Sequence, residues 1–113
     1  MKKETLLFYD AYQQFYQMAD RSDAFRAFCR DAFGSDFSQD GFSDIQQIDL
    51  ILQSASLSPA SHILDIGCGN GKMLGYLQKK TGAFIHGFDY SEAAIQTAQR
   101  LFPAHSDFRV GII

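Results

Sequence analysis

Hydrophobic positions recur at helical spacing through the first half of the chain. Phe8, Tyr12, Phe15 and Tyr16 fall at i, i+4, i+7 and i+8, and Leu7, Tyr9 and Met18 widen that face, which predicts a helix over residues 4–19. Ser22 is placed to cap a second helix, with Asp23 at its positive end, Ala24, Phe25, Phe28, Cys29 and Ala32 as its apolar face, and Gly34 just past its end. A turn-rich stretch from Gly34 to Phe42 follows. Ser43-x-x-Gln46 then reads as a capping box for a third helix, whose buried face is Ile45, Ile48, Ile51, Leu52 and Ala55. After Pro59 the pattern changes. Ile63, Leu64 and Ile66 form a short apolar run expected as a buried parallel strand, and Met73, Leu74 and Leu77 return to helical spacing up to about Lys80. Phe84 to Phe88 reads as a second strand, Ser91 to Leu101 as a helix stopped by Pro103, and Phe108 to Ile113 as a third strand. Three helices therefore precede a β-α-β-α-β run.

The junction between the first strand and its helix carries the chemistry. Gly67, Gly69 and Gly71 stand at alternate positions. Glycine permits the sharp strand-to-helix turn, and the missing Cβ lets a ligand approach the backbone and the free N–H groups of the helix start. The spacing departs from the dinucleotide fingerprint G-x-G-x-x-G, because residue 72 is lysine where the third glycine belongs. It is not a phosphate-binding P-loop either, since Gly71-Lys72 is followed by Met73. Asp89 ends the second strand, 22 residues beyond Gly67. A βαβ unit puts an acid at about this distance, where two carboxylate oxygens match two adjacent ribose hydroxyls.

Asp65-x-Gly67-x-Gly69-x-Gly71 followed by Asp89 resembles motif I and the downstream acid of the class I S-adenosylmethionine (SAM) methyltransferases. The resemblance implies an α/β, Rossmann-like SAM-methyltransferase fold from residue 61 onward, with SAM as cofactor. It implies that Gly67, Cys68, Gly69 and Gly71 approach the methionine portion through backbone and that Asp65 orients its ammonium end. Asn70 would sit in this set or cap the helix. Asp89 would hold the ribose and Tyr90 would cover the adenine. Gln39-Asp40-Gly41-Phe42 is similar to a segment preceding the SAM domain in some bacterial methyltransferases. That fold continues to seven strands, and about three are legible here. The chain is therefore expected to be an N-terminal part, with residues 1–60 a helical extension and 61–113 the first half of the SAM domain. One sheet flank would then be bare and self-association through it is expected. Two alternatives stay open: a non-catalytic SAM-binding or partner module, and an NAD(P)-binding Rossmann protein.

Composition narrows the partners. The 113 residues carry a net charge of −3 with no basic patch, which argues mildly against nucleic acid; a small molecule is the expected methyl acceptor, with a lipid headgroup, a protein and an RNA base left open. Cys29 and Cys68 read as free thiols, the apolar run Leu6-Leu7-Phe8 is too short for a signal peptide, and no stretch is long enough to cross a membrane, so a cytoplasmic protein is expected. His62, His86 and His105 have no metal-ligand spacing, and no general base stands out. The aromatic stripe of the first helix reads as packing rather than as a cap whose tyrosine hydroxyls reach the cleft. Phe37 and Phe42, in a polar loop, fit either a binding role or rings tucked beneath the loop.

Overall fold

The computed structural model describes residues 6, 8–38 and 44–112. Three helices lead the chain: α1 (Tyr9–Arg21), α2 (Asp23–Phe33) and α3 (Ile45–Ser54). The βαβ run follows as β1 (His62–Ile66), α4 (Lys72–Thr81), β2 (Phe84–Asp89), α5 (Glu92–Leu101) and β3 (Ser106–Val110). The expected start of the first helix at residues 4, 5 and 7, the Gln39–Phe42 segment, Ser43 of the capping box and Ile113 lie outside the described residues.

Local chemistry explains most boundaries. The Ser22 hydroxyl accepts from the Phe25 N–H and caps α2, and Gly34 closes that helix in the left-handed region at φ 81°. For α3 the cap is Asp44, whose carboxylate accepts from the Gln47 N–H, one residue later than the capping-box reading placed it. Only Ile48 of the expected α3 face is buried, and Ile51 is 41% exposed. Gly82 ends α4 at φ 75° behind Lys79 and Lys80, whose charges suit the negative end of the helix.

The three strands are parallel in the order β1-β2-β3, with Ile63 opposite Ile85 and Gly87 opposite Phe108. Both crossover helices pack on one face of this sheet. Leu74 of α4, Ile85 of β2, Ile95 and Ala98 of α5, and Phe108 of β3 form the core there, joined by Ile63, Cys68 and Phe102. Each large side chain buried in this way contributes about 1.5–3 kcal/mol. The packing is close: a Cβ added at Gly75 would lie 2.2 Å from the Phe102 ring.

The other face corrects the expectation of a buried first strand. Residues of β1 alternate, and Leu64 and Ile66 are 61% and 53% exposed. They lie opposite His86 and Phe88 of β2, on the side away from α4 and α5. The apolar run is suited to burial on two faces, and the described residues cover one. On the uncovered face His62 and His86 bring ring nitrogens to 2.9 Å, with their rings stacked and Phe84 alongside.

Helix α1 returns to the βαβ unit and docks on α5. The Gln13 Oε1 accepts from the Ser91 hydroxyl at 2.6 Å and the Ala93 N–H at 2.9 Å. Asp20 pairs with Arg100 at the other end of the contact, and Ala19, the residue before Asp20, is fully buried. Among the described residues no helix is long and apolar enough to cross a membrane.

Candidate functional site

The site forms where β1 and β2 end. Leaving β1, the chain turns back over the tip of β2, and the Gly67 and Cys68 N–H groups both donate to the Phe88 carbonyl, at 2.8 and 3.1 Å. Gly67 and Gly69 take left-handed angles (φ 78° and 57°) that a side chain disfavours. A Cβ at Gly67 would meet nothing within 4 Å, so its backbone faces open space. A Cβ at Gly69 would fall 2.4 Å from the Tyr16 hydroxyl of α1. Gly71 then caps α4.

Asp89 ties this turn to the next helix. One carboxylate oxygen accepts from the Gly69 N–H and the other from the Ser91 N–H, each at 2.9 Å. Asp89 is therefore both a ligand candidate and a brace, and it is 9% exposed. Asp65 lies near enough to feel its charge. Burial, and then the Asp89 carboxylate, push the Asp65 pKa above the ordinary carboxylate value. Burial also pushes the Cys68 thiol up to about 12, aided by Asp89 and Asp65, so at neutral pH it is a protonated small residue and not a nucleophile. The Cys68 Sγ donates to the Gly69 carbonyl, at 3.4 Å.

Two adjoining cavities open over the turn, sharing Gly67, Asp89 and Tyr90. One, about 290 Å³, is mainly apolar and adds Leu6, Phe88, Gly111 and Ile112. The other, about 310 Å³, is mainly polar and adds Tyr12 and Tyr16. Tyr90 stands between them with its ring edge-on to Tyr9 (centroids 5.8 Å apart) and tilted against Tyr12 (6.0 Å). Burial raises the Tyr90 pKa, with Tyr12 and Asp89 adding to the effect. The tyrosine face of α1 therefore reaches the cleft as well as packing on α5. The sequence admits both roles for that stripe, packing and a cap over the cleft, and favours packing. The i, i+4 spacing of Tyr12 and Tyr16 was the available signal.

Of the expected site residues, Gly67, Asp89 and Tyr90 line this cleft; Cys68 and Gly69 lie in the adjoining turn, and Asp65 stands close enough to Asp89 for their charges to interact. Asn70 differs from its expected role as a helix cap. Gly71 takes that position, and the Asn70 amide donates to the Ser38 hydroxyl at 2.9 Å, with both residues buried. Phe37 tucks against Tyr76, centroids 5.4 Å apart, which favours the packing alternative for that ring. The three histidines lie elsewhere, His62 and His86 on the uncovered sheet face and His105 edge-on to Phe84. Among the described residues no group of three or more His, Cys, Asp or Glu could hold a metal ion.

A parallel β-α-β-α-β unit, with a glycine turn bonded to an acid at the tip of β2, defines a Rossmann-like nucleoside-binding fold. Comparison with known proteins makes the class more definite. Residues 63–112 match the family described as a methyltransferase domain. Over 55 residues the chain is 40% identical to the trans-aconitate 2-methyltransferase of Paracidovorax citrulli, covering 48% of this chain and 21% of that protein. Its fold is similar to a TehB-like SAM-dependent methyltransferase from Corynebacterium glutamicum, at 35% identity and a TM-score of 0.52 over 62% of this chain and 36% of that one. It is also similar to the MccD protein, at 28% identity and a TM-score of 0.54 over 59% of this chain and 32% of that one. Residues 63–112 are thus similar in sequence to a methyltransferase domain, and the fold is similar to that of a SAM-dependent methyltransferase. The chain spans about a fifth of the length of the curated relative and about a third of the two solved structures.

Proposed function

We propose that the protein binds SAM in the double cleft and serves methyl transfer from it to a small-molecule acceptor. The observation that carries this reading is the pairing of an apolar and a polar cavity about Asp89. The apolar lobe, walled by Phe88, Tyr90 and Ile112, suits a purine ring. The polar lobe suits the ribose and the amino-acid end. Asp89 lies at the boundary, where a carboxylate suits a ribose diol. Asp65 and Asp89 together give negative charge that a cationic ligand relieves, and the open backbone at Gly67 gives it room.

SAM supplies a sulfonium whose methyl is electrophilic. In this reading the chain's own residues hold and orient. Gly67 admits the methionine portion, Asp65 faces its ammonium, Asp89 holds the ribose, and Tyr90 covers the base. Tyr12 and Tyr16 close the polar lobe from above. Residues 1–60 act as a cap on the domain that begins near residue 61. A small-molecule acceptor fits the net charge of −3 and a relative named for trans-aconitate. The two free cysteines fit a reducing, cytoplasmic setting.

Titration calorimetry of the intact protein with S-adenosylhomocysteine tests the reading, with Asp89→Asn beside the wild type and NADH as competitor. Saturable binding that falls at least tenfold in Asp89→Asn is expected. Because Asp89 also braces Gly69 and Ser91, that variant should lose roughly 1–3 kcal/mol of stability as well, so unfolding is measured in parallel. Wild-type protein that takes NADH and not S-adenosylhomocysteine would overturn the assignment.

A further inference from the structure

Four residues form a chain of polar contacts, Asn70–Ser38–Asp36–Lys72, between the loop after α2 and the start of α4. The Asp36 carboxylate accepts from the Ser38 N–H at 2.9 Å through one oxygen and from the Lys72 ammonium at 2.6 Å through the other. The Ser38 hydroxyl accepts from the Asn70 amide at 2.9 Å. Ser38 and Asn70 are 3% and 2% exposed, and the side chains of Asp36 and Lys72 13% each. Ser38 also holds a left-handed angle, φ 51°, which a residue with a Cβ adopts at a cost. Burial, full pairing and local strain in one short loop mark it as held in place by its partners.

We propose that Asp36 and Ser38 are positioning residues for the cofactor turn. Asn70 lies between Gly69, whose N–H is bonded to Asp89, and Gly71, which starts α4. A turn with left-handed glycines on both sides of Asn70 has many backbone states when free. Fixing Asn70 through Ser38, and the first residue of α4 through Asp36, selects the one in which the Gly69 N–H meets Asp89. Apparent affinity scales with the fraction of molecules already in the competent state, so the loop sets cofactor affinity without touching the cofactor. The Asp36–Lys72 pair has a second effect. It holds the ammonium of Lys72 against a carboxylate at a helix start, where an unpaired cation is disfavoured. This inference rests on the SAM-binding reading.

The test is S-adenosylhomocysteine affinity of the intact protein, with the Gly69 amide signal followed by NMR before ligand is added. Ser38→Gly is the first variant, since glycine relieves the left-handed angle while removing the hydroxyl. Asp36→Asn is the second, in case the first perturbs folding. The expected result is a fivefold to tenfold weaker affinity, a shifted or broadened Gly69 amide in the free protein, and an unfolding midpoint close to wild type for Ser38→Gly. Unchanged affinity and an unchanged Gly69 signal in both folded variants would overturn the positioning role while leaving SAM binding intact. Failure of the wild type to bind would remove the SAM reading and this inference with it.

Discussion

Two glycines two residues apart share a left-handed backbone and differ in what stands above them, which makes a controlled pair. Alanine at either position carries the left-handed cost, about 1–2 kcal/mol. At Gly67 the new methyl meets nothing within 4 Å, so that cost is the whole effect on stability. At Gly69 the methyl would lie 2.4 Å from the Tyr16 hydroxyl and 2.9 Å from its ring carbon Cζ. Overpacking of this kind adds about 1–3 kcal/mol. Gly67→Ala should therefore cost about 1–2 kcal/mol and Gly69→Ala about 2–5 kcal/mol once the clash is added. Denaturant unfolding of the intact protein measures both. Pairing Gly69→Ala with Tyr16→Leu isolates the contact, since two residues that touch are non-additive, and the excess cost of alanine should fall towards that at Gly67. Affinity should rank the other way relative to stability. The Gly67 methyl enters the cleft, so S-adenosylhomocysteine binding should suffer more than folding does. Equal stability losses at the two sites, or strict additivity with Tyr16→Leu, would mean that α1 does not lie on the glycine turn.

Two further outcomes follow from the same geometry. Asp65 has a raised pKa in the folded protein, so its ionisation opposes folding: that penalty is complete above the folded pKa and absent below the unfolded value near 3.8. Asp65→Asn should then be more stable than wild type at neutral pH, with the gain vanishing as the solution is acidified, while its S-adenosylhomocysteine affinity falls; lower stability at neutral pH would refute the assignment of that shift to desolvation and Asp89. Gln13→Ala removes the acceptor shared by Ser91 and Ala93, and should cost about 1–2 kcal/mol, speed hydrogen exchange in α1 ahead of β2 and weaken binding by releasing Tyr12 and Tyr16.

The βαβ half was legible because its signals are local. Gly71 and Gly82 bracket α4 in the sequence as they do in the fold, and the strand–turn–helix pattern plus Asp89 needs only a spacing to be noticed. The tertiary half of the site was not legible. No spacing rule links Ser38 to Asn70 across 32 residues, or Gln13 to Ser91 across 78. The cap reading of Asn70 failed for the same reason. A residue with cap chemistry next to a helix start found a buried partner from another loop, and Gly71, with its left-handed angle, was left to open the helix. The capping box missed by one residue because Asp44 offers a carboxylate at the same end of α3.

The helical N-terminus contributes more than its period suggests. An aromatic stripe is ambiguous in sequence because packing and binding both require one face. What resolves it here is where α1 is anchored. Gln13 holds it at the N-terminus of α5 and Asp20 at that helix's far end, through Arg100. With those two points fixed, Tyr12 and Tyr16 are carried over the tip of β2, one beside Tyr90 and the other against Gly69. Gly69 is consequently constrained by the α1 contact as well as by its own backbone angle, while Gly67 is constrained by the angle and faces the cleft. The two positions in one motif therefore answer to different requirements, packing at Gly69 and ligand access at Gly67, and a motif written only as alternating glycines hides that division.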